Sequence, residues 1–170
     1  MRPRRAAPPA EAQRTNRGPR RWGTERGLAR AGGVLAILGA GVAAYLTYVR
    51  YTGGTVACTT GGCELVQGSR YSAVAGIPVA LIGLVGYVCI AASTLLRGEA
   101  GAAVGLALTA IGFAFAMYLL YVQAFLIEAY CHWCLASDGV MAVLLALGVL
   151  RLTAAVRESA GPAEAGTASA

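Results

Sequence analysis

The segment EAYCHWCLASD, residues 128–138, gathers two thiols, a histidine and two carboxylates at the seam between two apolar runs. The Cys-x-x-Cys spacing of Cys131 and Cys134 suits three roles: half of a zinc site, a dithiol that cycles with its disulfide, or a packing detail. A second pair, Cys58 and Cys63, lies in an earlier loop, so static disulfides or a four-cysteine zinc site are also open. Haem attachment is disfavoured, because Leu135 stands where that signature needs histidine. Cys89 lies inside an apolar run, where a small hydrophobe packs well, and a structural role is expected for it.

Cycling is the best use of these spacings. A Cys-x-x-Cys ring is too short to constrain an unfolded chain much, and thiol–disulfide exchange needs an accessible thiolate whose pKa lies near ambient pH. A helix starting close to Cys134 would stabilise a thiolate there through its first-turn amides, and protonated His132 would add to that. His132 has a plainer reading as an interfacial polar residue, and Trp133 as an interface anchor or a cofactor contact.

The elements that must hold these residues are membrane spans. The chain of 170 residues is 57% apolar and only 13% charged, too hydrophobic for an ordinary soluble domain. Spans are expected over about 31–49, 73–96, 100–127 and 135–156, each near the length that crosses a hydrocarbon core. The fourth contains Asp138 near its start and Arg151 near its end, the latter expected to snorkel to the interface. The resulting fold class is an all-α integral membrane protein, a four-helix transmembrane bundle with a lid of loop and short helix on its extracytoplasmic side. Flanking it, residues 1–30 form a basic tail and 157–170 a second tail, both expected to be disordered and cytoplasmic.

Arginine sets the orientation, since the chain has no lysine. Arg2, Arg4, Arg5, Arg14, Arg17, Arg20, Arg21, Arg26 and Arg30 precede the first span, Arg97 separates the second from the third, and Arg151 and Arg157 close the fourth. Only Arg50 and Arg70 fall in the first loop. The positive-inside rule then puts both termini in the cytoplasm and both cysteine pairs outside the cell membrane, where disulfides persist. The net charge of +6 is accounted for by topology and calls for no nucleic acid.

Electrons released by disulfide formation need an acceptor, and a dithiol at the edge of a helix bundle is placed to reduce a lipid-soluble quinone. Phe115, Met117, Tyr118, Tyr121 and Phe125, in AFAMYLLYVQAF, offer walls for a flat ring, or a plain packing stripe.

The order ACTTGGCELVQGSRYSAVAGIPVALIGLVGY followed by CHWC at the head of the last helix resembles the vitamin K epoxide reductase family in its bacterial form. The resemblance covers about residues 30–155. It implies a four-helix bundle around a quinone, capped by a lid whose short helix is expected over 64–70, with Pro78 starting the second span. It further implies that Cys58 takes electrons from a partner thiol, that Cys63 exchanges with Cys131, and that Cys134 faces the quinone, with Ser69 near the head group. Asp138 stands where the vertebrate enzymes carry a substrate-associated tyrosine, and Ser69, Asp138, Phe115 and Tyr121 are the expected quinone contacts.

The bacterial members reoxidise a thioredoxin-like or DsbA-like partner at the expense of quinone, whether menaquinone, ubiquinone or a vitamin K-like naphthoquinone. Because the chain extends little past its last helix, the partner is expected to be a separate protein. The rivals are a quinone reductase of the disulfide bond formation protein B type, whose Cys-x-x-Cys lies in the first external loop, and a non-enzymatic membrane protein with static disulfides or a zinc ion held by four cysteines.

Overall fold

A computed structural model describes residues 20–58 and 62–160, with side chains from 25 to 157. The expectations for residues 1–19 and 161–170 lie outside the described residues. Among the described residues five α-helices follow in chain order: α1 (Arg20–Thr52), α2 (Gly62–Gly68), α3 (Val79–Ser93), α4 (Gly98–Val122) and α5 (His132–Ala160). Between α2 and α3 lie a 3-10 turn, Arg70–Ser72, and a hairpin of β1 (Ala73–Val74) and β2 (Ile77–Pro78).

Three stretches, Glu25–Thr52, Gly98–Ile127 and His132–Arg157, are long and apolar enough to cross a membrane. Their outward faces carry bare aliphatic side chains: Ile37 is 65% exposed, Ile111 70% and Leu150 53%. Lipid is the solvent that tolerates such a surface, since soluble monomers seldom expose large contiguous apolar patches. Hydroxyls within the helices turn back on their own backbone, as Thr47 does to the Ala43 carbonyl, Ser93 to Ile90 and Thr109 to Gly105.

The second expected span is shorter than the sequence pattern promised. Residues 73–78 leave the helix for the hairpin, whose turn places Ala75 at φ 50° and Gly76 at φ 83°. Two successive positive-φ residues match the twist of a two-residue hairpin, and glycine makes one of them inexpensive. Pro78 then caps α3, which at 15 residues is about 22 Å long, short of the ~30 Å core. Hydrophobicity alone cannot tell a hairpin of apolar residues from the first turns of a helix.

Other boundaries move the opposite way. Helix α1 begins at Arg20, inside the stretch expected to be disordered, and α5 runs past residue 157 to Ala160. Near these ends the helices meet in a contact that composition could not reveal. Arg151, expected to snorkel, instead turns inward and is 5% exposed. Its Nη2 donates to the Leu96 carbonyl at 2.6 Å and its Nη1 to the Ser93 carbonyl at 3.4 Å, while Nε lies 3.6 Å from Glu25 Oε1. One guanidinium on α5 thereby satisfies carbonyls at the end of α3 and pairs with α1.

The core lies between α1, α3 and α5, where Ala36, Ala43, Tyr87, Ile90, Met141 and Leu144 are buried together. Tyr87 is 1% exposed, and its hydroxyl lies 2.8 Å from Ser137 Oγ and donates to the Ser137 carbonyl at 3.0 Å. Gly39 makes room for that ring, because a methyl at residue 39 would overlap it.

Candidate functional site

The last turn of α4 widens into a π-turn, Gln123–Ile127, and the chain reverses through Glu128 at φ 56°. This irregular end points the Gln123 side chain, 2% exposed, at the following loop, where its Oε1 accepts from the Cys131 N–H at 2.9 Å. Sequence reasoning missed Gln123. The signal was present, since it is the lone amide side chain of the expected third span and a buried amide must find partners.

Helix α5 starts at His132, so Cys131 occupies the N-cap position, its carbonyl accepting from Leu135 N–H at 2.9 Å. The Cys134 N–H lies 3.4 Å from Cys131 Sγ. The first-turn amides therefore serve Cys131, where the sequence had suggested Cys134. The Cys134 thiol, foremost, and the amides of Cys134 and Trp133 bring the Cys131 thiol down to about 7, against the opposing effect of burial.

Cys58 and Cys63 are joined by a disulfide, while Cys131 and Cys134 are free thiols. The lid helix is α2, a little earlier than residues 64–70, and it starts hard against the other couple: a methyl at Gly62 would overlap the Tyr130 carbonyl oxygen. Their chain neighbours Cys63 and Cys131 are both 0% exposed. Cys58 is only partly buried, the one sulfur of the lid couple within reach of an external thiol.

The residues between Cys131 and Cys134 reach across to the lid. Trp133 Nε1 donates to the Ala57 carbonyl at 2.9 Å, Ala57 N–H donates to the Tyr45 hydroxyl at 3.2 Å, and the Tyr45 and Trp133 rings pack 5.4 Å apart. His132 Nδ1 lies 3.7 Å from Cys58 Sγ. His132 thus faces the other couple, and Trp133 is a lid clamp in this structure, neither of which the sequence disclosed. Among the described residues the grouped potential metal donors are Cys58, Cys63 and His132. Cys131 and Cys134 do not complete a four-cysteine cluster with them, and two of the three donors share the disulfide.

Below Cys134 a cavity of about 470 Å³ opens between the helices and the lid, within the usual range for small-molecule sites. Its wall includes Cys134, Asp138, Ser69 and Phe115, four of the expected site residues, and Gln123. Ser69 Oγ also donates to the Val66 carbonyl at 2.8 Å. Asp138 Oδ2 is buried and has no hydrogen-bond partner among the described residues. Tyr121 requires correction: it does not line the cavity, is 55% exposed and packs on Phe125 at 4.9 Å. Met117, Tyr118 and Phe125 are outward as well. Helical rotation explains this, since Phe115, Ala116, Leu119 and Val122, spaced three and four residues apart, share the inner face, while Met117, Tyr118 and Tyr121 lie on the outer one.

The Vitamin K epoxide reductase family profile matches residues 31–149. The chain belongs to that family. The match spans α1 to most of α5, and so takes in both cysteine couples of this vitamin K epoxide reductase family member, its lid and its cavity. A similar protein is the thiol-disulfide oxidoreductase LTO1 of Arabidopsis thaliana, 33% identical over 107 residues, which cover 55% of this chain and 28% of that relative. The match therefore extends over less than a third of the relative's length.

Proposed function

We propose that this membrane protein is a thiol:quinone oxidoreductase that oxidises a thioredoxin-like or DsbA-like dithiol partner in support of disulfide formation. The observation that carries the reading is the opposed placement of two neighbouring sulfurs. Cys131 is sealed from solvent beside the lid couple, whereas Cys134, in the first turn of the same helix, lines the apolar cavity.

In this reading the partner thiol meets Cys58, the most accessible lid sulfur. Cys63 and Cys131 exchange across the Gly62–Tyr130 contact, and Cys134 passes the electron pair inward. A quinone suits the cavity walls, which are aliphatic and aromatic apart from a few polar groups such as Ser69, Gln123 and Asp138. A bound quinone supplies a two-electron, two-proton acceptor. The protein's own contribution is to keep Cys131 thiolate-prone at a helix N-terminus, to orient Cys134 toward the ring, and to hold water away from it. With the lid couple joined and Cys131 and Cys134 free, the structure corresponds in this reading to the stage at which the electrons have reached the inner couple. Menaquinone, ubiquinone or a related naphthoquinone fills the acceptor role, and the redox face lies on the extracytoplasmic side.

The test is quinone-dependent oxidation of a dithiol partner by the purified protein. Substituting Cys134→Ala is expected to reduce turnover by about a thousandfold or more, as loss of a reacting group does. Equal quinone reduction by the two proteins would refute the proposal.

A further inference from the structure

The residue between two cysteines of a redox couple ordinarily serves its own couple. His132 does not: its Nδ1 lies 3.7 Å from Cys58 Sγ, a residue 74 positions away in the lid. The contact is held in place on both sides. Trp133 and Tyr45 fix the backbone of Ala57, immediately before Cys58, through its carbonyl and its N–H. On the far side of the lid loop, Gly62 abuts the Tyr130 carbonyl.

We propose that His132, carried by the inner couple, is the general base of the outer one, taking the proton from Cys58 as that sulfur closes the lid disulfide. The inference rests on the exchange between couples set out above, and identifies the group that makes its second step fast. Exchange begins with both lid cysteines as thiols and Cys131 joined to Cys134. Cys63 displaces Cys134 from Cys131, so that the Cys63–Cys131 bond forms, the Cys131–Cys134 bond breaks, and the Cys63 proton passes to Cys134. Cys58 then attacks Cys63. The Cys58–Cys63 bond forms, the Cys63–Cys131 bond breaks, and the electron pair leaves on Cys131.

Two thiols have become one disulfide, and one disulfide has become the Cys134 thiol and the Cys131 thiolate, the remaining proton being the one His132 takes, with no other oxidant or reductant consumed. The end state is the one the structure holds. The second step needs a Cys58 thiolate, because a thiol is a poor nucleophile, and the imidazole is the adjacent group that can make it. His132 is exposed, so the proton it takes escapes to water. The amides at the start of α5 stabilise the charge that leaves on Cys131. The base makes the step fast, and the stabilised leaving sulfur on Cys131 biases it toward the reduced inner couple.

The experiment uses the full chain carrying Cys63→Ser, which frees Cys58, with iodoacetamide labelling at neutral pH assigned by peptide mass. Adding His132→Ala is expected to slow Cys58 labelling about tenfold, as removal of a base from a thiol does, with free imidazole restoring part of the rate. Labelling of Cys89, an exposed thiol elsewhere, is expected to be unchanged. Cys58 labelling that is indifferent to His132 overturns the proposal. Trp133→Phe, which removes the lid clamp and keeps the imidazole, separates chemistry from placement: a loss as large as that of His132→Ala, and no rescue by imidazole, also overturns it. The underlying exchange is read separately in a Cys58→Ser chain, where a Cys63–Cys131 cross-link is expected. Its absence refutes exchange between the couples and leaves the labelling result to stand on its own.

Discussion

The bundle buries polar groups at both ends, and the two ends use them differently. At the Arg151 end a charged side chain is itself the tie, reaching the carbonyls of Ser93 and Leu96 and the carboxylate of Glu25. At the cysteine end the ties are to backbone. Gln123 holds the Cys131 amide, Trp133 and Tyr45 hold Ala57, and the sulfurs are left to react. Fixing the main chain around a reactive group positions it without consuming it, whereas a structural cluster spends its donors on cohesion.

Substitution at the Arg151 end is expected to cost stability first. Arg151→Ala leaves Glu25 and the α3 carbonyls without their partner, and is expected to destabilise the folded protein by about 3 kcal/mol, read from thermal unfolding in detergent. Exchange chemistry in whatever protein remains folded is expected to be near normal. A large loss of exchange at unchanged melting temperature would erase the distinction between the ends.

At the cysteine end the order of effects reverses. Gln123→Leu leaves the buried Cys131 N–H unpaired, with an expected penalty of about 1–2 kcal/mol and a clear fall in Cys63–Cys131 cross-linking. Gln123→Glu, which keeps an acceptor, is expected to preserve the cross-link. If Gln123→Leu exchanges at the normal rate, the tie is merely structural and the two ends are alike.

The smallest effect is a titration. The Cys131 thiolate is expected to appear in ultraviolet absorbance with a midpoint near pH 7, and Cys134→Ala to move that midpoint upward by removing its largest stabilising contact. Because folding depresses this thiol, the stability its thiolate contributes is present above the ordinary cysteine titration and is lost as pH falls through about 7. An unchanged midpoint in Cys134→Ala assigns the depression to the helix amides alone.

Much of this was legible in the residues, and the unreadable part has a common cause. Hydrophobic run length located three spans, and cysteine spacing with the resemblance to the family singled out the four sulfurs as candidates, because both are properties of the linear chain. Pairwise geometry is not. Arg151 looked like an interfacial arginine until Glu25 and two carbonyls were found beside it. Tyr121 and Phe115 looked equivalent in a stretch rich in aromatics, and helical rotation separates them. The start of α5 just after Cys131 decides which sulfur meets the amides, and a boundary error of a few residues exchanges the two. His132 contacts a residue far away in sequence, a pairing no local pattern encodes.

The contrary facing of Cys131 and Cys134 makes the first turn of α5 an insulating partition. In the proposed reaction a water-borne dithiol protein on one side and an oily ring on the other would never have to share a phase or touch. Shape demands on the two proposed reactants would thereby be uncoupled, so that a change of dithiol client would leave the lipid-side chamber unaltered and a change of lipid carrier would leave the sulfur of Cys58 as it is.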